Sequence, residues 1–320
     1  MWLLMMQAET EIAEAAESIL KKDGFIISQR CCSRPSCFDF ASRKDKNLLL
    51  IKVQKDIGNV SANDSRELKL ISECVSAASL LISEKTREKR LEDDTVYSRY
   101  NVSVVTLKTF ESMTLHKKYP LIQACPGGYY VEIGKEVIKK KRQELGLSIG
   151  EMAEMIGTSR RTLYGYERGM AKASVSAAYN LIWVLGIPVA KPINVFEMAR
   201  KKQESLLVSA KRMITKNRFL RKILGKLVQG NVPAIPVRKA PFDFVVNVPE
   251  EKMKIIGAVA NKKERELDKR VDEILSVSKV VQARSVLITD GPKPSNKDIS
   301  FIHVEELSKI RGPEDLVAKL

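Results

Sequence analysis

Apolar and polar residues follow two different periods along the first third of the chain. The segments TEIAEAAESILKKDG and DSRELKLISECVSAA carry apolar side chains every three to four residues, which predicts two helices. Short apolar runs flank the second helix and predict strands: GFIISQR, CFDFAS and NLLLIKV before it, and SLLISE and NVSVVTL after it. Helices interspersed with apolar strands indicate an α/β domain with a central sheet. We assign this N-terminal module to residues 1–117.

Residues 197–320 repeat much of this order after a basic helical segment. RFLRKILGKLV and ERELDKRVDEILSVSKVV are predicted helices, and PFDFVVN, MKIIGAVA, SVLITD and ISFIHV are predicted strands. PFDFVVN corresponds to CFDFAS, KIIGAVA to LLLIKV, and RSVLITDG to ASLLISEK. The order predicts a second, related α/β module at the C-terminal end. The alternative is chance, because unrelated α/β strands also resemble one another.

The middle of the chain, residues 134–196, has only the helical period and predicts a bundle of four or five helices. Residues 118–133 before it form a predicted linker with a short strand, because two prolines and Gly127-Gly128 interrupt helices there. Ser148 and Glu151 form a capping box at the start of the second helix. The residues predicted to face the core are Val137, Ile138, Leu145, Ile149, Met152, Ala153, Ile156, Leu181, Trp183, Val184 and Leu185.

The third helix of this bundle lies in the stretch IGTSRRTLYGYERG, residues 156–169. A sharp turn at Gly157 and a cap at Ser159 or Thr158 separate it from the second helix. Two short helices joined by a tight glycine turn are typical of a helix-turn-helix, in which the second helix enters the DNA major groove. Over about 55 residues this region resembles the Cro/repressor-like (XRE-type) helix-turn-helix family.

The resemblance implies roles for individual residues. Leu163 and Tyr166 match buried positions of the recognition helix, and Arg142 with Glu167 matches a pair that ties the first helix to the third. Gly165 is unusual because glycine is unfavourable inside a helix. We expect it either to permit close approach to DNA or to remove a side chain that could read a base. The predicted DNA-binding residues are Arg142, Ser148, Ser159, Arg160, Arg161, Tyr164, Gly165 and Arg168.

Charge supports a nucleic-acid partner. Lys and Arg number 55 against 39 Asp and Glu, a net charge of +16, which favours a polyanion. The densest basic stretch, Met198–Lys226, contains ten Lys or Arg and one Glu. We interpret it as a phosphate-contacting segment, and the alternative is an ordinary solvated helix face.

The order helix-strand-strand-strand-helix-strand resembles the restriction-endonuclease-like fold, whose nucleases use an Asp followed by an acidic-x-Lys motif to bind a divalent metal. Asp39 and Lys52 match two of these positions, but Leu50 replaces the acidic residue. Glu17 could add a carboxylate or be merely solvated. In the second module Asp243 is present, and the acidic and lysine positions hold Ile256 and Ala258. We therefore expect two modules with no catalytic residues and no metal site.

Five cysteines with no C-x-x-C spacing argue against a disulfide framework and a zinc ribbon, and indicate a reducing cytoplasm. Cys31, Cys32 and Cys37 could form a thiol sensor, the alternative being idle or buried thiols.

The N-terminal apolar stretch MWLLMM is too short for a signal peptide, and no stretch of the sequence is long enough to span a membrane. No cofactor motif is present. A small-molecule effector is compatible with the flanking modules, but no motif supports one.

Together these patterns predict a multi-domain protein with a central helix-turn-helix bundle between two α/β modules. The arrangement resembles archaeal HTH-type transcriptional regulators. The resemblance implies a regulator that binds double-stranded DNA through residues 159–168, as a homodimer and without enzymatic activity. Two alternatives remain: a metal-dependent nuclease targeted by the helix-turn-helix, and an architectural nucleic-acid-binding protein with little sequence preference.

Overall fold

A computed structural model describes residues 2–87, 89–197, 234–248, 251, 253–261, 264, 266–291, 294–296 and 298–308. The basic stretch Met198–Lys226 and the predicted helix RFLRKILGKLV lie outside the described residues. Within the described residues the protein is a mixed α/β structure with eight α-helices and two large sheets.

The N-terminal module contains the predicted helices and strands. Its helices are α1 (Trp2–Lys22), α2 (Ala62–Val75) and α3 (Leu107–Leu115). Its strands are β1 (Ile26–Ile27), β2 (Phe40–Lys44), β3 (Asn47–Val53), β4 (Ala78–Ile82), β7 (Thr95–Arg99) and β8 (Val102–Val105), with a separate hairpin of β5 (Lys85–Thr86) and β6 (Lys89–Arg90). The apolar periods locate α1, α2, β1 to β4 and β8, and they miss β5, β6 and β7, which are short or polar.

The central helical domain consists of four helices and three short strands. The helices are α4 (Lys135–Glu144), α5 (Ile149–Met155), α6 (Arg160–Arg168) and α7 (Val175–Leu185), and the strands are β9 (Ile122–Cys125), β10 (Gly128–Val131) and β11 (Ala173–Ser174). Most predicted core residues are buried. Three expectations were wrong, because Val137, Leu145 and Trp183 are exposed. Val137 and Trp183 lie off the buried stripes of α4 and α7, and Leu145 is the cap residue beyond the end of α4.

One sheet joins the N-terminal module to the central helical domain. Its order is β1-β2-β3-β4-β8-β7-β9-β10-β11, and β9 pairs in parallel with β7. The hairpin of β9 and β10 lies in the segment predicted as a linker. The chain returns after α7, where Phe196 packs edge-on against Phe110 and Tyr119. The central domain is therefore attached to the module at both its ends.

The C-terminal module is a five-stranded sheet with the order β12-β13-β14-β15-β16. Its elements are β12 (Ala234–Pro236), β13 (Phe244–Val248), β14 (Met253–Ala260), α8 (Leu267–Val281), β15 (Arg284–Thr289) and β16 (Ser300–His303). The pairings run antiparallel, antiparallel, parallel, parallel. The pairings along β1-β2-β3-β4-β8 follow the same sequence of directions.

The two α/β modules pack face to face around a shared apolar core. Phe38 of the N-terminal module and Phe242 of the C-terminal module lie with ring centroids 6.2 Å apart in this core. Helix α2 packs against β13 of the opposite module, and α8 packs against β2. The faces that the two modules turn toward each other are buried in one shared core, so the two modules form a single folded unit.

Candidate nucleic-acid interface

Helices α5 and α6 are joined by a tight turn at Gly157, whose φ of +70° lies in the left-handed region that favours glycine. The Ser148 hydroxyl accepts a hydrogen bond from the Glu151 amide, and the Glu151 carboxylate accepts one from the Ser148 amide. Ser159 caps α6 by accepting from the Thr162 amide at 3.1 Å. The predicted capping residues therefore set where both helices begin.

The exposed face of α6 carries the predicted reading side chains. Arg160, Arg161 and Arg168 are exposed, and Tyr164 is 42% exposed. The Arg168 guanidinium lies 5.0 Å from the centre of the Tyr164 ring, within the range of a cation–π contact. Three guanidinium groups and a phenol thus occupy one accessible helix surface.

Arg160 lies against α5 because position 150 is glycine. A Cβ atom at Gly150 would come within 2.9 Å of the Arg160 Nε atom, closer than real Cβ atoms approach. The glycine therefore leaves room for the guanidinium above the helix that precedes the turn. Sequence reasoning did not single out Gly150, since its role depends on where the Arg160 side chain lies.

The opposite face of α6 holds the helix in the domain. Leu163 and Tyr166 are buried, as the resemblance implies. Gly165 is also buried, and a Cβ atom there would contact the Ala171 side chain at 3.5 Å. This placement corrects the expectation that Gly165 contributes to the DNA-contacting surface, because the residue faces the turn after α6.

Arg142 and Glu167 form the predicted tie between α4 and α6. The guanidinium donates from Nε at 2.5 Å and from Nη2 at 3.0 Å to the two carboxylate oxygens of Glu167, and from Nη1 to the Leu147 carbonyl. The hydrogen bond to Glu167 raises the pKa of Arg142. Because Arg142 is buried and all its contacts are internal, its inclusion among the DNA-contacting residues was wrong.

Helix α7 presents an apolar stripe to solvent. Trp183 is 79% exposed and Tyr179 is 65% exposed, and Val175 and Ile182 lie on the same side. No residue from Val175 to Leu185 is charged. Contiguous exposed apolar residues of this kind mark an interaction surface.

In the N-terminal module, the residues that match the nuclease motif, Asp39 and Lys52, bind each other. The Lys52 ammonium donates to Asp39 Oδ1 at 2.7 Å, and the Val53 amide donates to Asp39 Oδ2 at 2.6 Å. Burial lowers the pKa of Lys52, but the adjacent Asp39 carboxylate outweighs this effect and raises it. Leu50, at the position of the missing carboxylate, is buried in the core between the modules.

The carboxylate of α1 that interacts with this pair is Glu9 and not Glu17. Burial raises the pKa of Glu9, which lies close enough to Asp39 and Lys52 to interact with their charges. Glu17 instead pairs with Arg30 at 2.5 Å. Glu9 was missed because a glutamate on a long amphipathic helix has no local signal that distinguishes it from a solvated one.

The corresponding position of the C-terminal module is filled by arginines. Asp243 accepts from Arg270 Nη2 at 2.5 Å and from Arg34 Nη1 of the other module at 2.8 Å. Arg270 is almost fully buried and also pairs with Glu264 at 2.8 Å. Two guanidinium groups on the one aspartate oppose a divalent cation, and no cluster of three potential metal ligands occurs among the described residues.

The cysteines are free thiols. Cys31, Cys37 and Cys74 are buried, and burial raises the pKa of the Cys74 thiol to about 12. It also raises the pKa of Cys31 and Cys37 well above the ordinary value. Because the thiolate is the reactive form of cysteine, these environments oppose the thiol-sensor alternative for Cys31 and Cys37.

None of the described helices has the length and apolarity needed to cross a membrane.

Comparison with protein-family models gives two matches. Residues 9–120 match the PD-(D/E)XK superfamily domain, and residues 138–191 match the helix-turn-helix model. These matches confirm the resemblances seen in the N-terminal module and in the central helical domain. No solved structure matches the chain significantly.

Relatives that match over nearly the whole chain include archaeal proteins provisionally named as HTH-type transcriptional regulatory proteins. One from Methanosarcina barkeri is 32% identical over 308 residues, covering 93% of this chain and 92% of the relative. One from Archaeoglobus fulgidus is 30% identical over 97% of this chain and 96% of its own length. One from Methanocaldococcus jannaschii is 30% identical over 98% and 96%. The similarity therefore extends through both α/β modules.

Proposed function

Because the chain belongs to the family of archaeal HTH-type transcriptional regulatory proteins, we propose that it binds specific DNA sequences and controls transcription by occupying promoter or operator sites. The observation that carries this proposal is the exposed arginine pair on α6, Arg160 and Arg161, at the start of the second helix of a helix-turn-helix. Selection of bound duplexes from a random pool tests the proposal, with one enriched motif expected.

The mechanism follows from the chemistry of the α6 surface. An arginine fork bonds guanine O6 and N7 together in the major groove, which contributes about 1–3 kcal/mol of discrimination. Arg160 and Arg161 carry this readout. Tyr164, Arg168 and the N-terminal amides of α5 and α6, capped by Ser148 and Ser159, contact phosphates and orient the helix.

We propose that the DNA-binding form is a homodimer and that the apolar stripe of α7 contacts a second copy. The chain carries a net charge of +16, which opposes the association of two copies, whereas α7 has no charge. DNA is an unsuitable occupant because the stripe offers phosphates no cation. A symmetric dimer would present two recognition helices to half-sites about 34 Å apart or a multiple of this distance.

Trp183→Ser is expected to shift the protein from dimer to monomer at micromolar concentration, because an exposed tryptophan is the kind of residue that dominates an interface. Light scattering after size-exclusion chromatography measures the mass. Tyr100→Ser, which removes an exposed aromatic residue of the N-terminal module, is the control and should leave the mass unchanged. A wild-type protein that is monomeric at these concentrations contradicts the dimer, and a Trp183→Ser variant that remains dimeric contradicts the stripe as its interface.

We further propose that the two α/β modules are a duplicated, catalytically inactive PD-(D/E)XK-like pair. Five strands of the larger sheet, β1-β2-β3-β4-β8, have the same sequence of pairing directions as the five-stranded sheet β12-β13-β14-β15-β16. The contacts between modules are reciprocal: Glu273 of α8 accepts from the Cys32 and Ser33 amides, and Glu67 of α2 accepts from the amides of Arg238 and Lys239. Such an exchange of equivalent contacts is the pattern of an isologous dimer interface, here within one chain.

Neither module is expected to cleave DNA. A duplex incubated with Mg²⁺ or Mn²⁺ should remain intact on a denaturing gel, because Leu50 stands where the motif needs its second carboxylate, Lys52 pairs with Asp39, and arginines surround Asp243. Cleavage by the wild type that disappears in Asp39→Ala would contradict this part of the proposal and favour the targeted nuclease.

A further inference from the structure

Three segments of the N-terminal module bring lysines together around Asp23: the end of α1, the end of α3 and the turn between β2 and β3. Each segment contributes two lysines, and the set, which we call the Asp23 lysine patch, is Lys21, Lys22, Lys44, Lys46, Lys117 and Lys118. We propose that this patch contacts phosphates of the DNA that flanks the site bound by α6. The inference rests on the proposed function and extends it to a second surface.

The Asp23 carboxylate fixes the three segments relative to one another. The Lys44 ammonium lies 3.0 Å from Asp23 Oδ1, and the Lys117 ammonium donates to Asp23 Oδ2 at 2.8 Å. Burial raises the pKa of Asp23, but the hydrogen bonds from the two lysines outweigh this effect and lower the pKa. The carboxylate is therefore charged at neutral pH, and its two ion pairs hold the patch in one place.

The patch carries more positive charge than the fold uses. Lys117 also donates to the Thr114 carbonyl at the end of α3, so the lysines bound to Asp23 already serve one helix end. Lys21, Lys22 and Lys118 are exposed, and no carboxylate of the described residues lies within 4.0 Å of their ammonium groups. Exposed like charges repel one another, and a polyanion lying across them would offset that repulsion.

The patch lies beside the junction that carries the central helical domain. Lys118 leads into β9, where Ile122 pairs with Val131 of β10, and Val131 pairs with Ala173 of β11. Residues 169–173 connect this row to the cap of α6 at Gly169. Strand spacings of about 4.8 Å and a reach of at most about 3.5 Å per residue place Lys118 within about 40 Å of that cap. One turn of DNA spans about 34 Å, so the patch lies within reach of DNA about one turn from α6.

The chemistry of the patch fits a DNA backbone better than a small anion. Its ammonium groups come from three segments and lie on open surface, so they do not converge on one enclosed site. Lysine carries a point charge on a flexible stem, which suits contact with successive phosphates and reads no bases. Such contacts add affinity that falls steeply with salt and leaves the sequence preference unchanged.

The salt dependence of DNA binding by the full-length protein tests the proposal. The patch variant combines Lys21→Gln, Lys22→Gln and Lys118→Gln, which leaves both ion pairs of Asp23 in place. Anisotropy is measured with the selected site alone and with the site extended by about 12 base pairs on each side. On the long duplex, losing three phosphate contacts should reduce the slope of log affinity against log salt by about two to three. On the short duplex the variant should match the wild type.

Two further variants are the controls. Lysine-to-arginine changes at the same three positions keep the charge and should retain the full slope. Arg87→Gln with Lys89→Gln and Arg90→Gln removes three exposed cations from the β5–β6 hairpin, which follows the opposite end of β3. Because these charges act only from a distance, this variant should change the slope by less than about one.

The outcomes separate this proposal from the proposed function. An unchanged slope in the patch variant overturns the patch, as does an equal loss on the short and long duplexes. Loss of binding to phosphatidylserine vesicles with an unchanged DNA slope would assign the patch to a membrane surface and also overturn it. A long scrambled duplex completes the test: a reduced slope there, without any preference for the selected site, supports the patch and contradicts sequence reading by α6.

Discussion

Replacing Arg160 and Arg161 together with alanine is expected to abolish the preference for a selected DNA site while leaving weak, salt-sensitive binding. Each bidentate arginine–guanine contact contributes about 1–3 kcal/mol, so losing both reduces the ratio of specific to non-specific affinity by about thirtyfold or more. Fluorescence anisotropy at about 150 mM salt, with the selected duplex and a scrambled one, measures this ratio.

The control variant is Lys89→Ala with Arg90→Ala, which removes the same amount of charge from the exposed β5–β6 hairpin. It should lower the affinity for both duplexes by similar factors and preserve their ratio. If the Arg160 and Arg161 variant also lowered both affinities equally, the two arginines would be phosphate anchors and the readout would lie elsewhere.

Replacing Arg142 with methionine is expected to destabilise the central helical domain by about 3–5 kcal/mol, because the Glu167 carboxylate stays buried without its partner. The cause is local, so the effect should appear as faster amide hydrogen exchange in α4 and α6. Exchange in β14 and β15, which belong to the core between the modules, should change little.

Removing both charges provides the comparison that isolates the pair. The double variant Arg142→Met with Glu167→Leu leaves no buried charge and should recover most of the protection in α4 and α6. Unchanged exchange in the single variant would show that water reaches the pair and that the tie contributes little.

Local sequence signals predicted most of the central domain. Ser148 with Glu151, and Gly157 followed by Ser159, mark the helix ends through hydrogen bonds between residues close in sequence. The burial of Leu163 and Tyr166 in α6 was implied by the resemblance to a known family and not by a local pattern. The resemblance to a known family added the pair of Arg142 and Glu167, which lie 25 residues apart.

The remaining features depend on distant contacts that no local pattern encodes. Gly165 is buried because Ala171 turns back against it, and Trp183 is exposed although a tryptophan usually signals a core. Leu50 and Ile256 appeared only as missing catalytic residues, whereas both lie in the core that the two modules share. Arg270 lies on α8, 27 residues after Asp243, so the motif on the strands could not predict that Arg270 binds Asp243.

The measurement that tests the central claim most directly is selection of bound duplexes from a random DNA pool at about 150 mM salt, where non-specific electrostatic binding is weakened. We predict enrichment of a single palindromic motif with guanines in each half-site, and with half-sites spaced by a whole number of helical turns. Retained DNA binding without any enriched motif would contradict sequence reading by α6 and would favour an architectural nucleic-acid-binding protein.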